Sequence, residues 1–515
     1  MTAPLLTRAN RVKRQALSLR LDLPLLLRSP PVVLGAGYIA AKAVLQPQYL
    51  PFAIYAVAFG GIAALGWLRP VPTLAAVVLV LPFFQLIQSY LWSHAVLPVG
   101  VIVQLSYMKE VALAGAFARA FRDRPRPLER YEVLALALLT LVAAYTIVPY
   151  GLDLRARFVS FRDNYFFVVV FLTARWTVSR RAVRRLTIGV PFATATVAGL
   201  GIWNRLGPDG WTDWVNSVGL LRFRFFVVRA VSYNPVERIQ RGGSSVIRSG
   251  SIFFSPNAFG SYAAIGAISC VFLVIRRRAG AWALVPAGVC AFGAVYTDSR
   301  SAMLMAIIGA LIVGVVGRGD FGPGLKVAAA GLAGAMLLVA VAAGSSIGTS
   351  FDSSDASTSG HISAIPRNLA RLTHHPVGTG LASGASRARY VSYNSTLGPD
   401  ATQSSVETSE NFFFLVGQET GIVPMVLMGA FVYGVARRLW SVAQRGSPLG
   451  ALGLGLLGAV LMSALVLDTL SNVPLAWVVF FFAGAALREH PEPEPQPDES
   501  MSARAAIAGL RLRRS

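Results

Sequence analysis

The sequence predicts an all-α, polytopic integral membrane protein with about 14 transmembrane helices and a large external loop that carries short helices. The chain has 515 residues, a mean hydropathy of +0.57 and only 14% charged residues, whereas soluble proteins carry about 25%. Its apolar residues form separate runs that reach the length of about 20 residues needed to cross a bilayer. The short alternating strands that are typical of an outer-membrane barrel are not visible.

The candidate spans follow one another through residues 31–488, which form the predicted transmembrane domain. Residues 1–30 are predicted to be a basic cytoplasmic tail, and residues 489–515 a disordered cytoplasmic tail rich in Pro and Glu. The candidate spans cover 31–46, 51–68, 72–92, 97–120, 131–150, 164–179, 186–204, 251–275, 281–298, 300–317, 326–344, 410–436, 450–468 and 472–488.

The net charge of +23 is explained by basic clusters between spans. With the N-terminus inside, the clusters near residues 122–126, 180–185, 276–278 and 437–445 all face the cytoplasm, as the positive-inside rule requires. Both termini are therefore expected in the cytoplasm. The same rule accounts for the charge without a nucleic-acid partner.

Two long polar segments, about 205–250 and 345–409, then lie outside. Long loops often carry function. The first is basic, and Arg248 near its end is a candidate substrate ligand. The second contains His361, Arg367 and Arg371, followed by a Gly-rich turn with Gly378 and Gly380, which we expect to approach a ligand closely. His374 and His375 could be zinc ligands, but this adjacent pair lacks a third partner at motif spacing, so we do not expect a metal here.

Polar residues open several spans from the outside. Asn257 follows Pro256 and is interpreted first as a helix cap. Asp298 and Arg300 open another span, and two interpretations are open: an ion pair at the membrane edge, or a guanidinium that binds phosphate or diphosphate.

Glu410 and Asn411 stand where the second external segment re-enters the membrane. Glu410 could cap a helix or act as a general base, and Asn411 could orient it or the substrate. Glu419, about two turns further on, would need a polar partner inside the membrane. Lys109 is expected to extend to the inner surface.

Four motifs in this order resemble the O-antigen ligase/polymerase family of bacterial envelope glycosyltransferases. They are Ser255-Pro256-Asn257, Ser299-Arg300-Ser301, His375-Pro376-Val377-Gly378-Thr379-Gly380, and Glu410-Asn411 followed by Glu419-Thr420-Gly421-Ile422. The resemblance covers roughly residues 160–485. Glu410 stands where the ligases of the family have His, which favours the polymerase-like branch.

The resemblance implies a multi-pass protein of the bacterial cytoplasmic membrane with an external, GT-C-like active site. It implies inverting, metal-independent transfer from a polyprenyl-diphosphate-linked oligosaccharide to a hydroxyl of an acceptor glycan or lipid, without a cofactor. Arg300 matches the arginine assigned to the diphosphate, and Glu410 would be the base. Membrane lipids and other polysaccharide-assembly proteins are further expected partners.

Three alternatives are distinct from polymerisation. One is ligase-type transfer to a different acceptor, and another is a transporter or flippase for lipid-linked glycans. Transporters usually show paired halves, and no clear internal repeat is visible in this chain. The third is a non-catalytic scaffold for polysaccharide assembly.

Overall fold

The computed structural model describes residues 50–124, 127–148, 152–224, 236–241, 244–275, 281–316, 356–384, 411–465 and 467–489. The predicted spans at 31–46 and 326–344, both terminal tails up to residue 49 and from residue 490, and Glu410 lie outside these described residues.

The described chain is mainly helical, as predicted. Its helices are α1 Leu50–Leu68, α2 Pro70–Val80, α3 Phe84–Ser93, α4 Val99–Leu105, α5 Met108–Arg122, α6 Arg130–Ile147, α7 Leu154–Thr177, α8 Arg180–Leu206, α9 Pro208–Ser217, α10 Leu220–Phe223, α11 Pro256–Ile275, α12 Leu284–Tyr296, α13 Arg300–Val316, α14 Ala356–His374, α15 Phe412–Thr420, α16 Ile422–Gln444, α17 Pro448–Ala464 and α18 Val473–Glu489. Short 3₁₀ turns cover Leu81–Phe83, Ser251–Phe253, Ala281–Ala283 and Thr469–Ser471.

Six of the described helical segments are long and apolar enough to cross a membrane, and five shorter helices are also apolar. The six are Pro70–Ser93, Gly100–Arg122, Arg130–Ile147, Arg181–Leu206, Pro256–Val274 and Ile422–Gln444. The fold class of a helical membrane protein therefore stands, and the number of about 14 spans stays a prediction.

A β-hairpin departs from the all-α prediction. Strands β1 Glu237–Arg241 and β2 Ser244–Arg248 pair antiparallel with Glu237 opposite Arg248. An ion pair of 2.9 Å joins these two side chains, and opposite charges facing each other across strands stabilise such a pairing. The hairpin lies within the first long polar segment and ends just before α11.

Three predicted spans are each broken into two helices. The span at 72–92 changes to a 3₁₀ turn at Leu81–Phe83, where Pro82 removes a backbone donor. The span at 97–120 is interrupted between α4 and α5. Between α15 and α16, Gly421 adopts φ +86°, a conformation that favours glycine.

Helix α7 runs through the centre of the bundle and packs along α18. It begins at Leu154, ten residues before the predicted span at 164–179. Asp153 caps it by accepting a hydrogen bond from the Ala156 amide at 2.9 Å. The additional turns carry charged residues, which hydropathy excludes from a span although a polar cavity accommodates them.

The helix ends meet at two opposite sides of the bundle. At one side, Glu129 binds Arg175 at 2.5 Å and Arg438 at 3.4 Å. At the other side, the Tyr145 hydroxyl donates to the Val377 carbonyl at 3.0 Å. Among the described residues, the end of α5 at Arg122, the start of α8 at Arg180, and Arg438 belong to this first side, so these helix directions agree with the predicted alternation. Which side faces the cytoplasm stays a prediction.

Candidate functional site

A cavity of about 450 Å³ opens among the broken helices, near the second side of the bundle. Its walls come from the α2–α3 break, the start of α5, the first half of α7, the start of α11, and residues 467–474 before and at the start of α18. This volume lies within the range of ligand sites, about 300–1,000 Å³.

Basic side chains outnumber acidic ones in the cavity wall. Lys109, Arg155, Arg162 and Arg224 line it together with Asp163 and Asp468. Ionisable residues inside a helical bundle are costly and usually mark a functional pathway. The excess of positive charge favours an anionic ligand.

The sequence predicts that Lys109 extends to the inner surface, whereas the structure places it in the cavity wall. Because α5 begins at Met108, its first turn places Lys109 at the cavity, with 13% of its side chain exposed. Its ammonium lies 2.9 Å from Glu110, donates to the Ser106 carbonyl at 2.5 Å, and lies 4.7 Å from the centre of the Phe84 ring.

Arg162 and Asp163 form a buried pair beside Lys109. The Nε of Arg162 donates to Asp163 Oδ1 at 2.7 Å and lies 3.7 Å from Glu110 Oε1. Buried charges are stable only when paired in this way. Within this cluster Lys109 and Arg162 balance Glu110 and Asp163. Of the remaining charged residues in the wall, two are arginines and one is Asp468, so one positive charge is in excess.

Arg155 and Arg224 are those arginines. Arg155 is exposed, and no carboxylate or hydrogen-bond partner contacts it among the described residues. Arg224 donates to the Phe253 carbonyl at 3.0 Å, and its guanidinium lies 4.8 Å from the centre of the Phe254 ring. Both guanidinium groups suit phosphate oxygens, which they can bind in a bidentate manner.

A buried carboxylate lies behind the cavity. Glu419 has no exposed surface, and its Oε2 accepts hydrogen bonds from Ser160 Oγ at 2.6 Å and Asn164 Nδ2 at 3.3 Å. Asn164 also lines the cavity. Glu419 therefore has the polar partners that its membrane position requires, and it fixes the amide of Asn164.

Arg248 connects two of the sequence motifs. Its guanidinium donates to the Thr297 carbonyl at 3.0 Å and to Asn257 Oδ1 at 3.3 Å. Asn257 lines the cavity, whereas Arg300, the first residue of α13, does not. Arg248 thus links Asn257 in the cavity wall to Thr297, which lies two residues before the Ser299-Arg300-Ser301 motif.

The interpretation of Asn257 as the helix cap is wrong. The cap of α11 is Ser255, whose Oγ accepts from the Ala258 amide at 3.4 Å. Asn257 accepts a hydrogen bond from Arg248 instead.

Asp298 stands at φ +51° between Thr297 and Ser299, in the left-handed region that asparagine and aspartate tolerate.

The Gly-rich turn closely approaches the protein's own backbone. Gly378 has φ +79°, and a Cβ there would lie 2.6 Å from the Glu419 carbonyl. The Gly380 amide donates to the same carbonyl at 3.0 Å, and the Ile422 amide donates to the Pro376 carbonyl at 2.9 Å. The turn therefore holds the break between α15 and α16. A role of these glycines in substrate binding stays a prediction.

The other predicted ligands of the second segment are apart from the cavity wall. Arg367 is exposed and Arg371 half-buried on α14, and neither lines the cavity. His361 lies in the same helix, but its side chain is outside the described part. Within the described ranges no three His, Cys, Asp or Glu side chains are grouped to hold a metal ion.

Asn411 caps α15. Its Oδ1 accepts from the amides of Phe413 at 2.9 Å and Phe414 at 3.1 Å, and its Nδ2 donates to the Leu465 carbonyl. These bonds occupy the amide that was expected to orient a base or substrate. Glu410, the preceding residue in the sequence, lies outside the described residues.

Sequence reasoning missed Arg155, Arg162, Asp163 and Asn164. A signal was present for three of them, because the charged residues Arg162 and Asp163 directly precede the predicted span at 164–179 and the polar Asn164 begins it. Such residues mark functional sites when they face a bundle interior.

A comparison with family models finds no match, and a comparison with curated proteins finds no similar sequence. The resemblance to the O-antigen ligase/polymerase family therefore rests on the four motifs alone.

Proposed function

We propose that the protein is a glycosyltransferase that elongates a polysaccharide at the outer face of the bacterial cytoplasmic membrane. The donor is a polyprenyl-diphosphate-linked oligosaccharide, and the acceptor is a sugar hydroxyl of a glycan. One observation carries the proposal. A cavity with excess positive charge lies among apolar helices and beside residues of the family-like motifs.

A polyprenyl diphosphate suits this surrounding for two reasons. Its hydrocarbon chain can lie between apolar helices, while its diphosphate needs cations. The diphosphate gains negative charge as the glycosidic bond breaks, and fixed positive groups in a partly dry site stabilise that charge strongly. Arg155 and Arg224 would bind the diphosphate, and Arg300, the first residue of α13, would contribute a third guanidinium.

The proposed reaction is a single displacement. Glu410 takes the proton of the acceptor hydroxyl, and the acceptor oxygen bonds to the anomeric carbon. The bond from that carbon to the phosphate oxygen breaks, and the electron pair leaves with the polyprenyl diphosphate. A direct displacement inverts the anomeric carbon. The proposal includes no metal ion and no cofactor.

Transport of a lipid-linked glycan is the second candidate, and the broken helices favour it. Discontinuous spans often surround transporter sites, and the α2–α3 and α4–α5 breaks both contribute residues to the cavity. Glycosyl transfer and transport differ in the face of the membrane at which the lipid-linked glycan accumulates when the protein is inactivated.

The test replaces Glu410 and Arg300 in cells. Glu410→Gln and Arg300→Ala should each stop polymer growth without changing the abundance of the protein. Lipid-linked oligosaccharide units that have not been polymerised should then accumulate at the outer face. Asp209→Asn and Arg205→Ala are matched controls, because Arg205 lies in the last turn of α8 and Asp209 in the first turn of α9, and neither residue lines the cavity. Units trapped at the inner face would instead establish transport.

A further inference from the structure

Helix α14 has two exposed faces of opposite character. Ile365 and Leu369 are 52% and 56% exposed, and, four positions apart, they lie on one face of the helix. Arg367 and His374 are also exposed, and they lie roughly 160–200° from Ile365 at about 100° per residue. The helix thus presents an apolar strip, Ile365 and Leu369, and a basic strip, Arg367 and His374.

The last turn of the same side is fixed on the bundle. Leu372, which lies about 20° from Ile365 at about 100° per residue, is only 4% exposed, and a Cβ on Gly417 of α15 would lie 2.6 Å from its side chain. Helix α15 therefore covers the apolar side at this last turn and leaves Leu369 and Ile365, one and two turns earlier, exposed. The strip needs an apolar occupant from outside the chain's described part.

The end of α14 is attached to the start of a span. Two residues after His374, the Pro376 carbonyl accepts from the amide of Ile422 at 2.9 Å, and Ile422–Gln444 is long and apolar enough to cross a membrane. Val377 and Val423 beside this bond are 63% and 62% exposed. The exposed apolar surface of the span therefore continues to the level of α14.

We infer that α14 lies in the surface of the phospholipid bilayer, parallel to its plane. Ile365 and Leu369 enter the boundary between headgroups and acyl chains, and the basic strip faces headgroup phosphates, the arrangement typical of interfacial amphipathic helices. Continuity with the lipid-facing surface of α16 favours lipid over a protein partner. This placement is independent of the proposed glycosyl transfer.

Site-directed fluorescence on the full chain in phosphatidylglycerol-containing liposomes tests this placement. Cys270 and Cys290 are fully buried, so an environment-sensitive thiol dye reacts with an introduced cysteine, and labelling of unmodified protein measures the background. The dye is placed in Ile365→Cys and Leu369→Cys, with Arg367→Cys and His374→Cys as matched controls on the other face. Val426→Cys serves as the reference within a span.

Quenching by a nitroxide on an upper carbon of the lipid acyl chain should be strong at 365 and 369 and weak at 367 and 374, whereas aqueous iodide should show the reverse order. Equal access of iodide to both faces would overturn the inference. Protection of 365 and 369 from both quenchers would also overturn it, because a protein surface would then cover the strip. Quenching of the dye at Val426→Cys by the lipid nitroxide but not by iodide confirms that the protein in each preparation is inserted in the bilayer.

Discussion

At the scale of single residues, Glu419 shows how the bundle holds a carboxylate away from water. An ionised carboxylate in an apolar interior is costly without hydrogen-bond donors. Ser160 and Asn164, which lie one turn apart on α7, supply them at 2.6 and 3.3 Å. The motif residue Glu419 therefore connects α15 to the central helix and positions an amide at the cavity.

Replacing this carboxylate should destabilise the fold. Glu419→Ala leaves the Ser160 hydroxyl and the Asn164 amide without their acceptor, at a cost of about 1–3 kcal/mol per group. Glu419→Gln keeps one acceptor oxygen and should lose less stability. The unfolding temperature in detergent measures the loss for both variants.

Asp123→Ala is the control, because it removes a carboxylate that is 48% exposed and paired with Arg119. This variant should unfold near the wild-type temperature. Equal decreases in unfolding temperature for Asp123→Ala and Glu419→Ala would contradict the structural role of Glu419.

Arg155 and Arg300 show what residue patterns reveal and conceal. Arg300 was identified because it opens an apolar run within a short motif, and its position at the head of α13 is as expected. Arg155 stands in a charged stretch whose composition predicts a loop. Arg155 reaches the cavity through tertiary packing, in which α7 contacts α18 among other helices, and that packing depends on residues far away in the sequence.

At the scale of elements, the Gly-rich turn and the α15–α16 break are in close backbone contact and stabilise each other. Gly378 and Gly421 both adopt positive φ, at +79° and +86°, and a side chain on either would collide with the backbone of the other segment. The two motifs thus form one structural unit that carries α14 on one side and Glu419 on the other.

Gly378→Ala should therefore destabilise this unit. The positive φ alone costs a non-glycine residue about 1–3 kcal/mol, and the contact with the Glu419 carbonyl adds to it. Gly429→Ala is the matched control, since a Cβ there meets nothing within 4 Å and alanine favours a helix. The rate of backbone hydrogen exchange at residues 376–384 and 417–424 should rise only for Gly378→Ala. Unchanged exchange in both variants would contradict the proposed stabilisation of the α15–α16 break by the Gly-rich turn.

The elements themselves were largely predictable. Predicted spans at 186–204, 251–275 and 450–468 correspond to α8, α11 and α17, because long apolar runs suffice to identify such helices. The breaks near Leu81–Phe83 and before Met108 were not predicted, since hydropathy is averaged over a window and does not detect a local change of direction. The hairpin before α11 was missed because its strands are polar.

At the scale of the whole molecule, the cavity is expected to face away from the cytoplasm. Helix α8 has its basic start near Arg184 and its end at Leu206, where Ser249 Oγ donates to the Gly201 carbonyl at 2.7 Å just before α11. An impermeant maleimide applied to spheroplasts should label Asp209→Cys at once and Arg184→Cys only after permeabilisation. The reverse order would invert the orientation and exclude an external site.

We propose that the protein binds a lipid-linked diphosphate in the cavity and transfers its glycan. The most direct measurement is glycan elongation by the purified protein in liposomes that contain a polyprenyl-diphosphate oligosaccharide. Wild type and Arg205→Ala should make longer glycans with or without a chelator. Arg155→Ala should lower the rate at limiting donor by about 10- to 100-fold, since hydrogen bonds to charged groups contribute about 1.5–3 kcal/mol. No elongation by wild type, or equal rates for Arg155→Ala and Arg205→Ala, would contradict the account.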